Sequence, residues 1–429
     1  MKFLKNLLKR DSISIFKLLI ILTAAVGIAV SPFVVDYNTL PRGYELPKVL
    51  FLQIICSIII LFSTSTFCVK SFKEKSVKIT RSFWIIALIS VLFIVSTILS
   101  PYLEIAVWGN YFRLQGAITY LLMLWGAYGV YKSINVNNWH IVSLSFIFST
   151  IIQCGVALNQ FNELSTVNPD AILQGIWVNG TFGQANWFAG RLLLAIILSA
   201  FYFGLRLNTN KTLRVITKIY FGLLIFGFLV ILGLTYSEWG IISAAFAISI
   251  ILLYEVLPKR IFAIILTLIT IGLIVGAIIF LRLNTEYNLR IEIYNSILNI
   301  FTQPLSLEQL KIIFFGFGFD TLGEVFKQYG LIKGLLVDRA HNFLLDILTQ
   351  NGLIVVSIFT AFILNSFINM FNKKKVRMWD FTFIALAAWM FRSLIHENGI
   401  VNIMDFLFLL AILFSLKKEL HRFNRFNTQ

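Results

Sequence analysis

The chain has 429 residues, of which 58% are hydrophobic and only 13% charged, with mean hydropathy +0.85 and a formal net charge of +16. A soluble chain carries about 25% charged residues, so this composition excludes an ordinary soluble globular protein. Runs of roughly 20 apolar residues recur, each long enough to cross about 30 Å of hydrocarbon. They imply an all-α polytopic membrane protein, because backbone groups in lipid must be satisfied within each span and the alternation of barrel strands is missing.

In chain order, the apolar runs predict about twelve spans, at 14–34, 48–69, 82–100, 114–132, 139–158, 186–206, 215–236, 239–257, 260–282, 341–369, 378–395 and 401–416. The basic N-terminus with Lys2, Lys5, Lys9 and Arg10 could imitate a signal peptide. The long run behind it, followed by further spans, reads better as a first anchor. Alternating the spans sorts the connections into two sets. One holds both termini and the clusters Lys70–Arg81, Arg206–Lys218, Lys259–Arg260 and Lys373–Arg377, which together carry most of the basic residues. The positive-inside rule places this set in the cytoplasm. The +16 charge then orients the chain and faces anionic lipid, and nucleic acid is not an expected partner.

The opposite, outer set has one long connection, residues 283–340. Within it, Leu289–Phe301 places Tyr294, Ile297, Leu298 and Phe301 at helical spacing, which predicts an amphipathic helix at the membrane interface. Gly316–Asp320 reads as a turn, and Leu322–Tyr329 as a second short helix. The connection is therefore an ordered loop containing short helices, and the chain a single polytopic domain over 1–429. The span that follows, 341–369, would reach roughly 44 Å at 1.5 Å per residue. It should tilt, or its first turns should project above the bilayer.

His341 stands at the mouth of that span, followed by Asn342. His140 and His421 fall on the cytoplasmic side, and His396 sits in a short outer loop where capping would suffice. Arg113, Arg191, Arg282, Arg290, Arg339 and Arg392 lie in the outer half. Charge at membrane depth usually lines a cavity, and the planar guanidinium binds phosphate oxygens in pairs. Snorkelling to headgroups is the alternative for each, most readily for Arg282. Asp346 and Asp405 are carboxylates within spans, read equally as functional groups or helix–helix contacts. Cys56, Cys68 and Cys154 lie in apolar runs and imply neither disulfides nor a metal site. No internal repeat is visible, which argues against a transporter built on repeats.

Four stretches, in order and on one side, resemble the O-antigen ligase and O-antigen polymerase family of bacterial envelopes. Arg113-Leu114-Gln115-Gly116 is similar to its early outer Arg-x-x-Gly, and Gly180-Thr181-Phe182-Gly183-Gln184-Ala185-Asn186 to its Gly-Thr-Phe-Gly-Asn-Pro-Asn element. Arg290 followed by Gly316-x-Gly318 resembles the arginine and Gly-x-Gly of the large outer loop. His341, ten residues and Gly352 match the ligases' His-x10-Gly. The likeness covers about 110–360. Departures are Ser237-Glu238-Trp239-Gly240 where Ser-Arg-Gly is usual, Gln184-Ala185 in place of Asn-Pro, and Arg290-Ile291-Glu292-Ile293-Tyr294 where the ligases have Arg-x3-Leu.

The resemblance implies transfer of a glycan from undecaprenyl diphosphate to an acceptor hydroxyl on the outer face of the cytoplasmic membrane. His341 would act as general base, Arg113, Arg191, Arg290 and Arg339 would hold the diphosphate, and Asn342 and Asn186 would position. In-line attack implies inversion at the anomeric carbon, and arginines in place of a metal imply no cofactor. The acceptor would be a lipid core, a growing glycan or a protein, so ligase, polymerase and protein O-oligosaccharyltransferase readings stay open. A flippase of lipid-linked oligosaccharide and a non-catalytic assembly partner are the readings of other classes. The flippase predicts a continuous polar path to the cytoplasmic side.

Overall fold

The computed structural model describes residues 12–36, 45–73, 79–111, 113–167, 178–204, 211–258, 261, 288–329, 337–372, 387–390, 392–393 and 399–426. Among these residues it is all-helical, with no strand. The helices are α1 (Ser12–Val30), α2 (Leu46–Lys73), α3 (Arg81–Ile98), α4 (Leu103–Trp108), α5 (Ala117–Ser133), α6 (Trp139–Val167), α7 (Ala185–Gly204), α8 (Lys211–Leu234), α9 (Glu238–Val256), α10 (Asn288–Phe301), α11 (Leu307–Phe315), α12 (Leu322–Tyr329), α13 (Phe343–Asn372) and α14 (Ile400–Phe426).

Among the described residues, seven helices are long and apolar enough to cross a membrane: α1, α2, α3, α6, α7, α8 and α13. Each coincides with an expected span. The expected spans at 114–132, 239–257 and 401–416 correspond to α5, α9 and α14, whose apolar helical stretches are shorter. The expected span 260–282, most of 378–395, Arg282 and His396 lie outside the described residues.

The bundle is built around α7. Its run Phe188–Leu198 is buried throughout, with α8 and α9 packed on it. α1 packs on α2 and α6, α2 on α5, and α5 on α14. Small residues set close approaches: a Cβ on Gly27 would fall 2.6 Å from the Ile55 side chain, and one on Gly129 2.4 Å from Ser63 Oγ. Such contacts matter in a bundle whose helices gain little from burying apolar surface out of lipid. The outward faces of α3 and α8 carry exposed large apolar residues, among them Val91, Ile94, Ile98, Leu223 and Phe226.

Connections expected on one side do meet at one end of the bundle. Contacts there link residues 32 to 181, 45 to 113, 100 to 317, 113 to 338, 186 to 237 and 115 to 339. At the other end, Lys132 donates to Thr80 Oγ1 at 3.1 Å and Ser415 to the Ile134 carbonyl at 2.6 Å.

Two expectations about the loop-rich end change. The helix that starts after His341 is not one long rod. At Gly352 the backbone takes φ 72°, ψ −176°, which breaks α13 into two helices. α10 is amphipathic as expected, and the protein covers part of its apolar face: Ile293 and Ile297 are buried against Leu322, Phe326, Val337 and Ala340, while Leu298 is 51% exposed.

The break has a defined occupant. The Gly316-Phe317-Gly318 turn presses onto the opened helix: Phe317 N donates to the Thr349 carbonyl at 2.7 Å and Gly318 N to the Gln350 carbonyl at 2.9 Å. Ser96 of α3 adds its hydroxyl to Gln350 O at 2.7 Å, and Ser100 bonds the Phe317 carbonyl. Carbonyls released by the break are thus satisfied without water, as membrane depth demands.

Candidate functional site

The segment carrying His341 enters α13 through a cap. Asn342 Oδ1 accepts from Leu344 N at 3.0 Å and Leu345 N at 3.2 Å, satisfying two donors of the first turn. Asp346, one turn on, accepts from Ala340 N at 2.8 Å and folds the preceding residues back over the helix end. His341 is held between these two bonds at φ 54°, the left-handed region that costs an L-residue about 1–2 kcal/mol. Its imidazole is half-buried.

Arg339, just upstream, is buried and bonds Gln115 Oε1. Arg113 Nη2 pairs with Asp338 Oδ2 at 3.0 Å, and its Nε lies 3.5 Å from Glu45 Oε2. Gln115 Nε2 reaches Glu45 Oε1 at 3.4 Å. The 109–116 loop that supplies Arg113 and Gln115 closes tightly on itself: a Cβ on Gly109, at φ 95°, would fall 2.2 Å from Gln115 N. Asp320 Oδ2 accepts from Asn110 N at 2.7 Å, tying this loop to the Gly-x-Gly turn. Burial pushes the Asp320 carboxyl up to about 6 against the pull of Arg339, the Asn110 N–H and Arg113. From α10, Tyr294 faces Asn342 and Arg290, and burial raises its hydroxyl above the usual phenol range.

Arg113, Arg290, Arg339, His341 and Asn342 are therefore brought to one end of the bundle, around the 337–346 segment. Sequence reasoning missed their acidic partners, Glu45, Asp338 and Asp320. The adjacent Asp338-Arg339 pair was the visible local signal; Glu45, far away in the chain, left none.

Arg191 stands apart. It is fully buried, with Nη1 2.6 Å from Asp405 Oδ2, Nη2 bonded to Ile28 O and Ser149 Oγ at 3.1 Å each, and Nε to Thr150 Oγ1 at 3.2 Å. The Phe146 ring stacks under the guanidinium at 4.5 Å. Its groups are committed to α1, α6 and α14. Lys48 lies between the two clusters, buried, donating to the Thr181 carbonyl. Thr181 is further held by Gln153, whose Nε2 reaches its Oγ1 at 2.7 Å, so the Gly-Thr-Phe element is a knot joining α2, α6 and the start of α7. Asn186 accepts from Ser237 Oγ at 2.6 Å and, through its carbonyl, from Arg392, which fixes the start of α7. Glu238 is exposed in the first turn of α9, where a carboxylate suits the helix N-terminus.

Among the described residues, no three His, Cys, Asp or Glu side chains group to hold a metal ion. Compared with known proteins, the chain matches no family model and no curated protein.

Proposed function

We propose that this chain is a membrane glycosyltransferase that moves a glycan from a polyprenyl diphosphate, undecaprenyl diphosphate in bacteria, to an acceptor hydroxyl. The supporting observation is that the segment carrying His341 and Asn342 is held against the Arg113 loop through Asp338–Arg113 and Arg339–Gln115, with Arg290 and Asn342 both beside Tyr294 of α10, at the mouth of a helix apolar enough to cross a membrane. That placement suits a donor whose diphosphate rides at headgroup level while its chain stays in lipid.

In this reading the loop-rich end faces outward and the basic end, with both termini, faces the cytoplasm. The guanidinium of Arg113, partly exposed, exchanges Asp338 and Glu45 for diphosphate oxygens as the donor arrives. Arg290 and Arg339 add to the charge that stabilises the leaving diphosphate. The imidazole of His341 takes the proton of the acceptor hydroxyl as it attacks the anomeric carbon. The carbon–oxygen bond to the diphosphate breaks on the opposite face, and configuration inverts. Asn342 holds the helix end that carries the base. The step needs no metal. Lipid core, repeat-unit glycan and protein all remain acceptors to test.

A flippase would need polar groups through the whole bundle. The polar line Glu45–Lys48–Arg191–Asp405 enters from the loop-rich end, but α7 below Arg191 is apolar and buried from Leu192 to Leu198. This favours the enzyme.

The test uses protein in liposomes with polyprenyl diphosphate-linked glycan and a panel of acceptors. Wild type should release polyprenyl diphosphate and form an inverted glycoside, and His341→Ala should not. Equal turnover by both would remove His341 as base; no turnover with any acceptor would remove the reading.

A further inference from the structure

α11 is a helix by its own signals. The Ser306 hydroxyl accepts from Gln309 N at 3.0 Å, Glu308 sits in the first turn, and Gly316 at φ 72° ends it. One face packs inward: Gln309 is buried and donates to the Ile300 carbonyl at 2.7 Å, with Ile312 against Phe317, Ile300 and Val325. The opposite face is not polar. Leu307 and, just before the helix, Leu305 are 74% and 77% exposed, and Leu310 and Phe314 follow at 39% and 42%. Leu307, Leu310 and Phe314 recur at helical spacing and form one apolar edge, bordered by exposed Glu308 and Lys311. Leaving this edge in water forgoes free energy that covering it would recover.

What covers this edge follows from its depth and from its neighbour. The end of α11 lies on the broken part of α13: a Cβ on Gly352 would fall 2.2 Å from the Phe314 carbonyl carbon. Gly352 is well inside α13, roughly 14 Å along the helix from its start. The Phe317 carbonyl in the turn after α11 accepts from Ser100, just past the end of α3, and Ser96, in the last turn of α3, bonds Gln350 of α13 beside it; α3 is apolar enough to span a membrane. On that same last turn, Ile94, Ile98 and Leu99 are exposed. The apolar edge of α11 thus continues the outward apolar surface of α3 at the level where that span ends. Exposed Trp108, at the end of α4, has the side chain favoured at a membrane–water boundary.

We propose that α11 is a membrane-seated interfacial helix, its Leu305–Leu307–Leu310–Phe314 edge inserted at the headgroup–acyl boundary of the leaflet that surrounds the end of α3. Lys311 reaches back to headgroup phosphates. The bilayer gains a rigid connection to the polar cluster, since α11 runs directly into Gly316–Asp320 and Asp320 holds Asn110 of the Arg113 loop. The placement is independent of any transfer activity.

The experiment uses the full chain in nanodiscs, with Cys68 and Cys154 replaced by Ala and buried Cys56 kept. A polarity-sensitive fluorophore is attached through Leu310→Cys, Phe314→Cys or Glu308→Cys, with the parent lacking an introduced cysteine as control. Emission from the Leu310→Cys and Phe314→Cys proteins should be blue-shifted, resist aqueous iodide and be lost with nitroxide placed high on the acyl chain. Emission from Glu308→Cys should be lost to iodide. Iodide quenching at all three positions would overturn the proposal. So would iodide protection at Leu310→Cys and Phe314→Cys without nitroxide quenching, which would mean that another protein surface, such as a second copy, covers the edge.

Discussion

Asp338 holds Arg113 at 3.0 Å, and together with the Arg339–Gln115 bond this contact ties the 109–116 loop to the segment that carries His341. Both side chains are partly exposed, so the pair is worth about 1 kcal/mol or less to stability. Its value in the proposed mechanism lies in charge. Asp338→Asn removes the carboxylate that competes for the guanidinium, and donor binding should tighten while thermal stability falls only slightly. Arg113→Lys keeps charge but loses the planar fork, and donor affinity should fall by about tenfold, or 1.4 kcal/mol. Titration of each variant with polyprenyl diphosphate checks both; weaker binding by Asp338→Asn would contradict the competition.

His341 occupies φ 54°, so replacing it changes both chemistry and backbone energy. His341→Ala should lose transfer, while the left-handed backbone costs alanine about what it costs histidine. His341→Gly accepts the left-handed conformation and should melt above His341→Ala, yet be equally inactive. Transfer retained by His341→Gly would show that the backbone, not the imidazole, is what the site needs.

Asp320 gives a pH dependence with a defined sign. Its folded-state carboxyl stands at about 6, above the ordinary value of 3.8, because burial outweighs Arg339, Arg113 and the Asn110 N–H, while Asp338 adds repulsion. A raised acid stabilises the fold fully below pH 4, and that contribution disappears as pH rises through 6. The difference is on the order of 3 kcal/mol. Asp320→Asn keeps the acceptor for Asn110 and tolerates φ 57°, so it should melt higher than wild type above pH 6 and lose that advantage toward pH 4. Melting curves in detergent across pH 4–7.5 decide this; parallel curves would show that Asp320 is not the titrating group.

How much of this was legible in the chain differs from residue to residue. Asn342 as the neighbour that sets the helix start follows from its place before an apolar run, and the structure shows it capping Leu344 and Leu345. α10 was legible as amphipathic, but periodicity reports only that a face is apolar. Whether Ile293 and Ile297 meet lipid or Leu322 and Phe326 depends on a fold that periodicity does not encode. Gly352 in a long apolar run passes for a tolerated helix residue, because nothing local announces that the Phe314 backbone will press against it. Asp338, Glu45 and Asp320 pair with residues far along the chain, and such pairs leave no spacing to read.

The broken helix gives a sharper stability prediction. Gly352, at φ 72° and ψ −176°, sits where a side chain is strained, and an added Cβ would also meet the Phe314 carbonyl. Gly352→Ala should destabilise by about 3 kcal/mol or more. It should also release the Gly316–Gly318 turn from Thr349 and Gln350, and with it the Asp320–Asn110 bond. Thermal melting and protease sensitivity near residue 316 measure the two effects. A wild-type melting curve for Gly352→Ala would mean that α13 runs straight.

Arg191 and Asp405 separate a structural charge pair from a donor-binding arginine. Their contact is 2.6 Å with both side chains essentially sealed from solvent. Removing one partner leaves an uncompensated charge inside the bundle, so Asp405→Asn should cost about 3–5 kcal/mol. Replacing both, Arg191→Met with Asp405→Leu, removes the charges together and should recover most of that loss. The residual deficit comes from Ser149, Thr150 and the Ile28 carbonyl, which lose their donor. The folded double variant then answers the functional question. With Arg191 committed to α1, α6 and α14, the double variant should bind polyprenyl diphosphate as wild type does, whereas Arg113→Lys should not. If the well-folded double variant lost donor affinity as severely, Arg191 would have to leave Asp405 for the diphosphate, and the donor would reach deeper into the bundle than the 337–346 segment.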